Sequence, residues 1–228
     1  MMLPRKPAEN EKGIIWDIGA HKGSDTAYYL LEGYSVVAVE AGPELAAGLE
    51  DNFGACEQVA IVKAALMGKP KSKTVKLYVR PGHDDWGSMV RKQPKWINVP
   101  TVSIKELLDA YGTPHYCKMD IEGAESEILH SWQEQGLPVP NYISVEMSDP
   151  HVWKVLLAMG YRLFKLVDQN DKQKWRKCPF GSWTDSYSGP FGEEAAGQWQ
   201  AEEQMLERLK ILLKTPDTFW CDIHARLP

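Results

Sequence analysis

Three short clusters hold the residues best suited to chemistry in this chain of 228 residues. The first is Asp17-Ile18-Gly19-Ala20-His21-Lys22-Gly23, where an apolar run ends in an acid and a glycine-bearing loop follows. Glycine allows a close backbone approach that a Cβ would block, so such a loop can hold a ligand against main-chain atoms. Glu40 ends the next apolar run, Val36-Val37-Ala38-Val39, and an acid placed there can hydrogen-bond both hydroxyls of a ribose. The second cluster is Lys118-Met119-Asp120-Ile121-Glu122-Gly123-Ala124-Glu125, and the third is Val145-Glu146-Met147-Ser148-Asp149.

The loop is not a dinucleotide fingerprint. GxGxxG needs a second glycine two residues after the first, and His21 stands there. A pyrophosphate wants bare backbone at a helix N-terminus. An acid two residues before the first glycine suits a cofactor with a cationic end. S-adenosylmethionine, which has an ammonium and a sulfonium but no phosphate, meets that description. Asp17, Gly19, Ala20, His21 and Gly23 are expected at its methionine end, Glu40 at its ribose, and Ala65 and Ser88 near its adenine.

Asp120, Glu122 and Glu146 are the expected catalytic acids. An acid ending a buried strand needs a partner, and a cofactor ammonium or an acceptor hydroxyl would serve Asp120. For Glu122 the structural and functional readings balance. Glu125 fits a first-turn acid favoured by the helix dipole, and Asp149 fits an N-cap. The three acids could hold a divalent ion through oxygen ligands. Their spacing matches no dedicated metal loop, so a metal-free site is expected. His83, Asp84, Asp85, Trp86, Gly87 and Ser88 read equally as an exposed turn or a cofactor contact. His115, His130, His151 and His224 are expected to be structural.

Strands alternating with helices must position these groups, which implies a mostly parallel α/β sheet covered on both faces. Strands are predicted at 13–18, 35–40, 59–66, 116–121, 142–146, 161–167 and 219–225. A half-exposed strand at 74–80 interrupts the rhythm, and 81–87 reads as a polar loop. Helices are predicted at 24–32, from Pro43 to a stop at Gly54, from the capping box Ser103-Ile104-Lys105-Glu106 to Gly112, and at 124–135. Another follows Asp149 and ends at Gly160, and a last one spans 193–214. Residues 1–12 are expected to form a frayed arm and 13–228 one domain, with 168–214 an insertion before the last strand. Its segment 168–192 carries Trp175, Phe180, Trp183, Tyr187 and Phe191. Long loops in compact domains are usually functional or disordered, and so much aromatic surface argues against disorder. Contact with an acceptor, as a cap over the site, is expected; packing over the sheet edge or a homodimer contact is the equal alternative.

A formal charge of −5 argues against a nucleic-acid backbone as main partner. No run approaches the ~18 apolar residues that span a bilayer, so no membrane partner is expected. The charged residues of 1–12 do not read as a signal peptide. Four scattered cysteines, with no CxxC, suit reduced thiols in the cytoplasm.

With these pieces in place, the sequence resembles the FkbM-type methyltransferases, S-adenosylmethionine-dependent enzymes of the Rossmann-like class. The resemblance rests on Asp17–Gly23, on Val39-Glu40-Ala41-Gly42-Pro43, and most specifically on the block from Lys118 to Glu125; Val145-Glu146 and Gly160-Tyr161 continue it. It covers roughly 14–167. His21 departs from the asparagine more usual in the family, and Val39 from the usual aromatic before the acid. The resemblance implies O-methylation of a sugar or natural-product hydroxyl. A nicotinamide-dependent oxidoreductase and a non-catalytic nucleotide-binding module are the alternatives, the first disfavoured by His21.

Overall fold

A computed structural model describes residues 2–8, 10–80, 83–212, 214 and 220–228. The apolar runs become β1 (Ile14–Ile18), β2 (Ser35–Glu40) and β3 (Val59–Lys63), joined by α1 (Ser24–Leu31) and α2 (Pro43–Phe53). Further along come α3 (Ile104–Tyr111), β8 (Tyr116–Met119), α4 (Glu125–Glu134), β9 (Tyr142–Glu146), α5 (Val152–Ala158) and β10 (Leu163–Asp168). The described chain closes with α6 (Glu202–Leu212) and β11 (Cys221–Arg226). The main sheet runs β10-β11-β9-β8-β1-β2-β3. Its pairs are parallel except those of β11, which lies antiparallel to both β9 and β10.

Side chains alternate across each strand and fill two layers. Trp16, Ile18, Val37 and Val39 meet α3, α4, α5 and α6 on one face, with Trp16 stacked on Trp132 at 6.0 Å. Ile15, Val36, Ala38 and Tyr116 meet α1 and α2 on the other. On that second face the 168–192 segment completes the cover. Phe191 stacks on Tyr116 at 4.0 Å and Trp183 meets Tyr28 edge-on at 5.2 Å.

The predicted strand 59–66 divides. β3 stays in the main sheet, while Ala65–Met67 forms β4 of a second sheet ordered β4-β7-β5-β6. Lys63 alone interrupts the apolar run, and a single charged residue does not show a change of partner. β5 is Thr74–Arg80 and β7 is Lys95–Ser103. The predicted polar loop 81–87 is largely strand: β6 (His83–Ser88) pairs antiparallel with β5. Backbone pairing makes that strand where the side chains give no apolar alternation. Pro81 and Gly82, and the side chains of His83, Asp84, Asp85 and Trp86, lie outside the described residues.

The predicted helix 193–214 is also corrected. Residues 192–194 make one 3₁₀ turn, Gly197 takes φ +88°, and Gln200 bridges back to Phe164 before α6 begins. A left-handed glycine cannot continue a right-handed helix. Met205 and Leu209 face the core as expected, and the side chain of Leu212 lies outside the described set. The expected frayed arm is held: Pro7 is buried, Ala8 donates its N–H to the Glu57 carbonyl, and Tyr111 donates to the Pro4 carbonyl. No helix among the described residues is long and apolar enough to cross a membrane.

Candidate active site

The carboxyl ends of β1, β2, β8 and β9 open into a cavity of about 860 Å³. An open α/β sheet binds ligands there because loops and helix N-termini converge at that edge. One end of the cavity is the glycine loop. Gly19 and Ala20 donate their N–H groups to the Val39 carbonyl, folding the loop over β2. Gly19 has φ +78°, and a Cβ on it would lie 1.8 Å from the Asp120 carbonyl oxygen. That glycine is required by the neighbouring chain rather than by ligand approach. Gly23, at φ +83°, would drive a Cβ to 2.5 Å from the Phe53 ring, so it serves packing against α2 and does not line the cavity. His21 also has positive φ, 52°, and its N–H donates to Glu40 Oε2 at 2.9 Å. Gly42 donates to Glu40 Oε1 at 2.7 Å. Burial raises the Glu40 pKa above the usual carboxylate range, although these backbone donors and Lys118 oppose the rise.

Gly19, Ala20, His21, Glu40, Ala65, Asp120, Glu122 and Glu146 all line the cavity. Asp17 and Ser88 do not. Asp17 is wholly buried beneath the loop, accepting from Thr26 Oγ1 at 2.6 Å and facing Lys118 Nζ at 3.3 Å. Ser88 donates to the Glu122 carbonyl and accepts the N–H groups of Val90 and Arg91. The four lone histidines lie off the cavity walls.

Lys118 is the charge centre that sequence reasoning quoted without giving it a role. β1 and β8 pair in register, Asp17 beside Lys118, so both side chains leave the same face of the sheet. Lys118 Nζ donates to the Gly19 carbonyl at 2.9 Å and lies 3.3, 3.6 and 3.9 Å from Asp17, Asp25 and Asp120. Burial lowers its pKa, yet Asp17, Asp120 and Asp25 outweigh burial and hold it well above the ordinary lysine value. Asp25 accepts the backbone N–H groups of Ser188 and Gly189, latching the 168–192 segment onto α1. Its pKa is pushed up to about 6 by burial, against the pull of Lys118. The signal for Lys118 was a lysine inside an otherwise apolar strand.

The predicted strand 116–121 stops at Met119 because the chain turns: Glu122 has φ +60° and Gly123 φ +107°. Glu125 holds the turn from below, accepting from Ile121 and Gly123 N–H and from Ser148 Oγ. It therefore does more than the first-turn role expected of it. Asp149 binds the His151 N–H and Ser126 Oγ, while His151 itself is the N-cap of α5, so the expected N-cap falls two residues later.

Asp222 on β11 pairs in register with Glu146 on β9, bringing a second carboxyl to the same floor. Burial and the Asp120 charge raise Asp222 well above the carboxylate range. Burial first, then Asp120, Glu122 and Asp222, push Glu146 up to about 9. Burial and Asp120 also raise Glu122, against the Arg91 guanidinium 2.8 Å away. Asp222 was missed because β11 runs antiparallel to β9, so the start of that strand, not its carboxyl end, reaches the site. Among the described residues no cluster of three or more His, Cys, Asp or Glu is arranged to hold a metal ion.

The parallel sheet, the antiparallel strand inserted beside its edge and the glycine loop after β1 define the class I methyltransferase architecture. Residues 17–163 match the family model described as Methyltransferase FkbM domain, and the chain belongs to that family. Solved structures similar to it include a precorrin-6y C5,15-methyltransferase from Geobacter metallireducens GS-15, 14% identical, covering 96% of this chain and 82% of that one, TM-score 0.45. A methyltransferase FkbM from Methylobacillus flagellatus KT is 14% identical over 72% of this chain and 44% of that one, TM-score 0.45. A predicted O-methyltransferase, Atu636 of Agrobacterium tumefaciens, is 11% identical over 97% and 76%, TM-score 0.43. No curated protein matches the chain.

The family's cofactor is S-adenosylmethionine, and the cavity fits it. Both Glu40 oxygens hold a backbone N–H and keep lone pairs for ribose hydroxyls. Ala65, Leu77 and Ile97 make an apolar wall for a base, and Asp25 and Asp120 offer charge to an ammonium. Glu40→Ala is expected to weaken S-adenosylhomocysteine binding by ~1–3 kcal/mol, the scale of lost hydrogen bonds. Titration calorimetry checks this; an unchanged dissociation constant would place the ribose elsewhere.

Proposed function

We propose that this enzyme methylates a hydroxyl on a sugar or natural-product-like acceptor, with Glu146 as general base. The observation that carries the reading is Glu146 itself. Its Oε2 is buried without a hydrogen-bond partner, in the same cavity as Glu40. A carboxyl whose pKa is raised is a stronger proton acceptor once ionised. The cofactor, when bound, supplies an electrophilic methyl on a sulfonium. Glu146 would take the proton of an acceptor hydroxyl placed in line with that methyl. Asp120 and Glu122 orient the acceptor, and the walls hold the reacting atoms in line, where most of the rate originates. Residues 168–192 cap the acceptor side through Asp185, Ser186, Tyr187 and Ser188, which line the cavity. Trp175, Trp183 and Phe191 instead pack on other aromatic side chains. A cytoplasmic site of action fits four free cysteines, three of them buried.

The test is transfer of labelled methyl from S-adenosylmethionine to a panel of hydroxylated sugars and phenols, with calorimetry against S-adenosylhomocysteine and NAD. Binding of NAD alone would overturn the reading. Asp120, whose side chain is 38% exposed, can be changed without opening the core. Asp120→Asn is expected to keep the melting temperature within a few degrees and cut turnover by at least about tenfold, with no response to chelator. Full activity in the variant would remove Asp120 from the site.

A further inference from the structure

Gln169 follows β10 and lies at the far end of the cavity from Glu40. It is 2% exposed. Its Nε2 donates to Asp222 Oδ2 at 2.8 Å and to the Ser188 carbonyl at 3.4 Å. The Ser188 carbonyl can only accept, which turns the amide nitrogen toward it. Its Oε1 is then left without a hydrogen-bond partner among the described residues. Glu146 Oε2 is left in the same condition. Asp222 links the two: it accepts from the Gln169 amide and is the cross-strand neighbour of Glu146. Buried acceptors of this kind are costly unless something donates to them.

The ribose of the cofactor is not that donor: it belongs at Glu40 on β2, and Asp222 on β11 lies four strands across the sheet, roughly 19 Å at the usual spacing. Gln169 also lines a second hollow of about 510 Å³, which meets the main cavity at Gln169, Asp185 and Trp220. Trp175, Trp183 and Trp220 wall that hollow. Flat apolar walls suit the face of a ring.

We propose that Gln169 and Glu146 form a two-acceptor subsite for a vicinal diol on a ring of the acceptor. Glu146 receives the hydroxyl that is methylated, and Gln169 Oε1 receives its neighbour. This rests on the methyl-transfer reading above and adds to it a substrate class and a specificity residue. A site built to pair with a hydroxyl discriminates strongly against the analogue lacking it, because its own polar group is then left bare.

The experiment measures binding of ring pairs to protein saturated with S-adenosylhomocysteine, by saturation-transfer NMR. The pairs are catechol against phenol, vicinal cis-cyclohexanediol against cyclohexanol, and methyl mannoside against its deoxy analogue lacking one hydroxyl of the pair. Wild type is expected to bind at least one diol more tightly than its partner by roughly ten- to a hundredfold. Which pair responds separates a sugar from an aromatic diol. Gln169→Leu should abolish that preference while S-adenosylhomocysteine affinity holds. Gln169→Glu, protonated among these acids, keeps an acceptor oxygen and a donor to Asp222, and should retain the preference. If Gln169→Leu does not fold, Gln169→Met replaces it. No preference in any pair, or a preference untouched by the loss of Oε1, overturns the proposal. Methyl transfer without diol preference would sink the subsite and spare the activity; diol binding without transfer would do the reverse.

Discussion

Lys118→Met is expected to cost about 3–5 kcal/mol of stability at neutral pH, the penalty for removing one partner of a buried ionic group. Methionine keeps the volume of the stem, so the loss reports the charge. Without the ammonium, Asp17 and Asp25 are left buried with hydrogen bonds but no cation. The deficit should shrink as the pH falls toward about 6: without the pull of Lys118, Asp25 takes up its proton above the value of about 6 that it has in the wild type. The sign follows from linkage: a variant whose folded state binds extra protons gains stability as pH drops. Asp25→Asn in the same background should recover part of the loss. Urea denaturation at pH 5 and pH 8 checks all three, and a Lys118→Met protein as stable as wild type at pH 8 would contradict the charge-centre role. The Gly19 carbonyl also loses its Lys118 donor, so cofactor affinity should fall together with stability.

Glu146→Gln is expected to lower turnover by ~10²–10⁴, the usual contribution of a well-placed base, while leaving the fold intact. Wild-type turnover should climb with pH until Glu146 ionises at about 9, and the variant should lose that limb. Stability should move the other way. Glu146 has a folded pKa far above the unfolded 4.5, so its favourable contribution is complete below about 4.5 and is lost as the pH rises through about 9. Glutamine cannot ionise, so at pH 8 to 9 the variant should melt at or above the wild-type temperature, as happens when a functional group burdens the fold. A pH-rate profile and thermal melts across that range test the pair of effects. Undiminished turnover in Glu146→Gln would remove the general-base assignment.

The acids, the glycine loop and the order of elements were legible in the sequence because each is a local property. An apolar run ending in Asp17 or Glu40 makes a strand with an acid at its carboxyl end wherever it packs. The capping box at Ser103 and Glu106 formed as its spacing required. Gly19 was legible as a loop glycine, but its reason was not. The Asp120 carbonyl that excludes a Cβ arrives from a strand about a hundred residues away.

Partnership was the property that only the tertiary structure decided. Pairing registers set Lys118 beside Asp17 and Asp222 beside Glu146. Those juxtapositions, not the residue types, push Glu146 upward in pKa and turn Lys118 into the counter-charge of three acids. The same holds for the aromatic segment. Its rings could equally have met a ligand or the protein. Phe191 on Tyr116 and Trp183 on Tyr28 show that the open face of the sheet claimed those rings. The stretch from 59 to 66 could not reveal its change of sheet for a related reason. On either side of the exposed Lys63, burial on both faces erases the alternation that would otherwise disclose which neighbour a strand has.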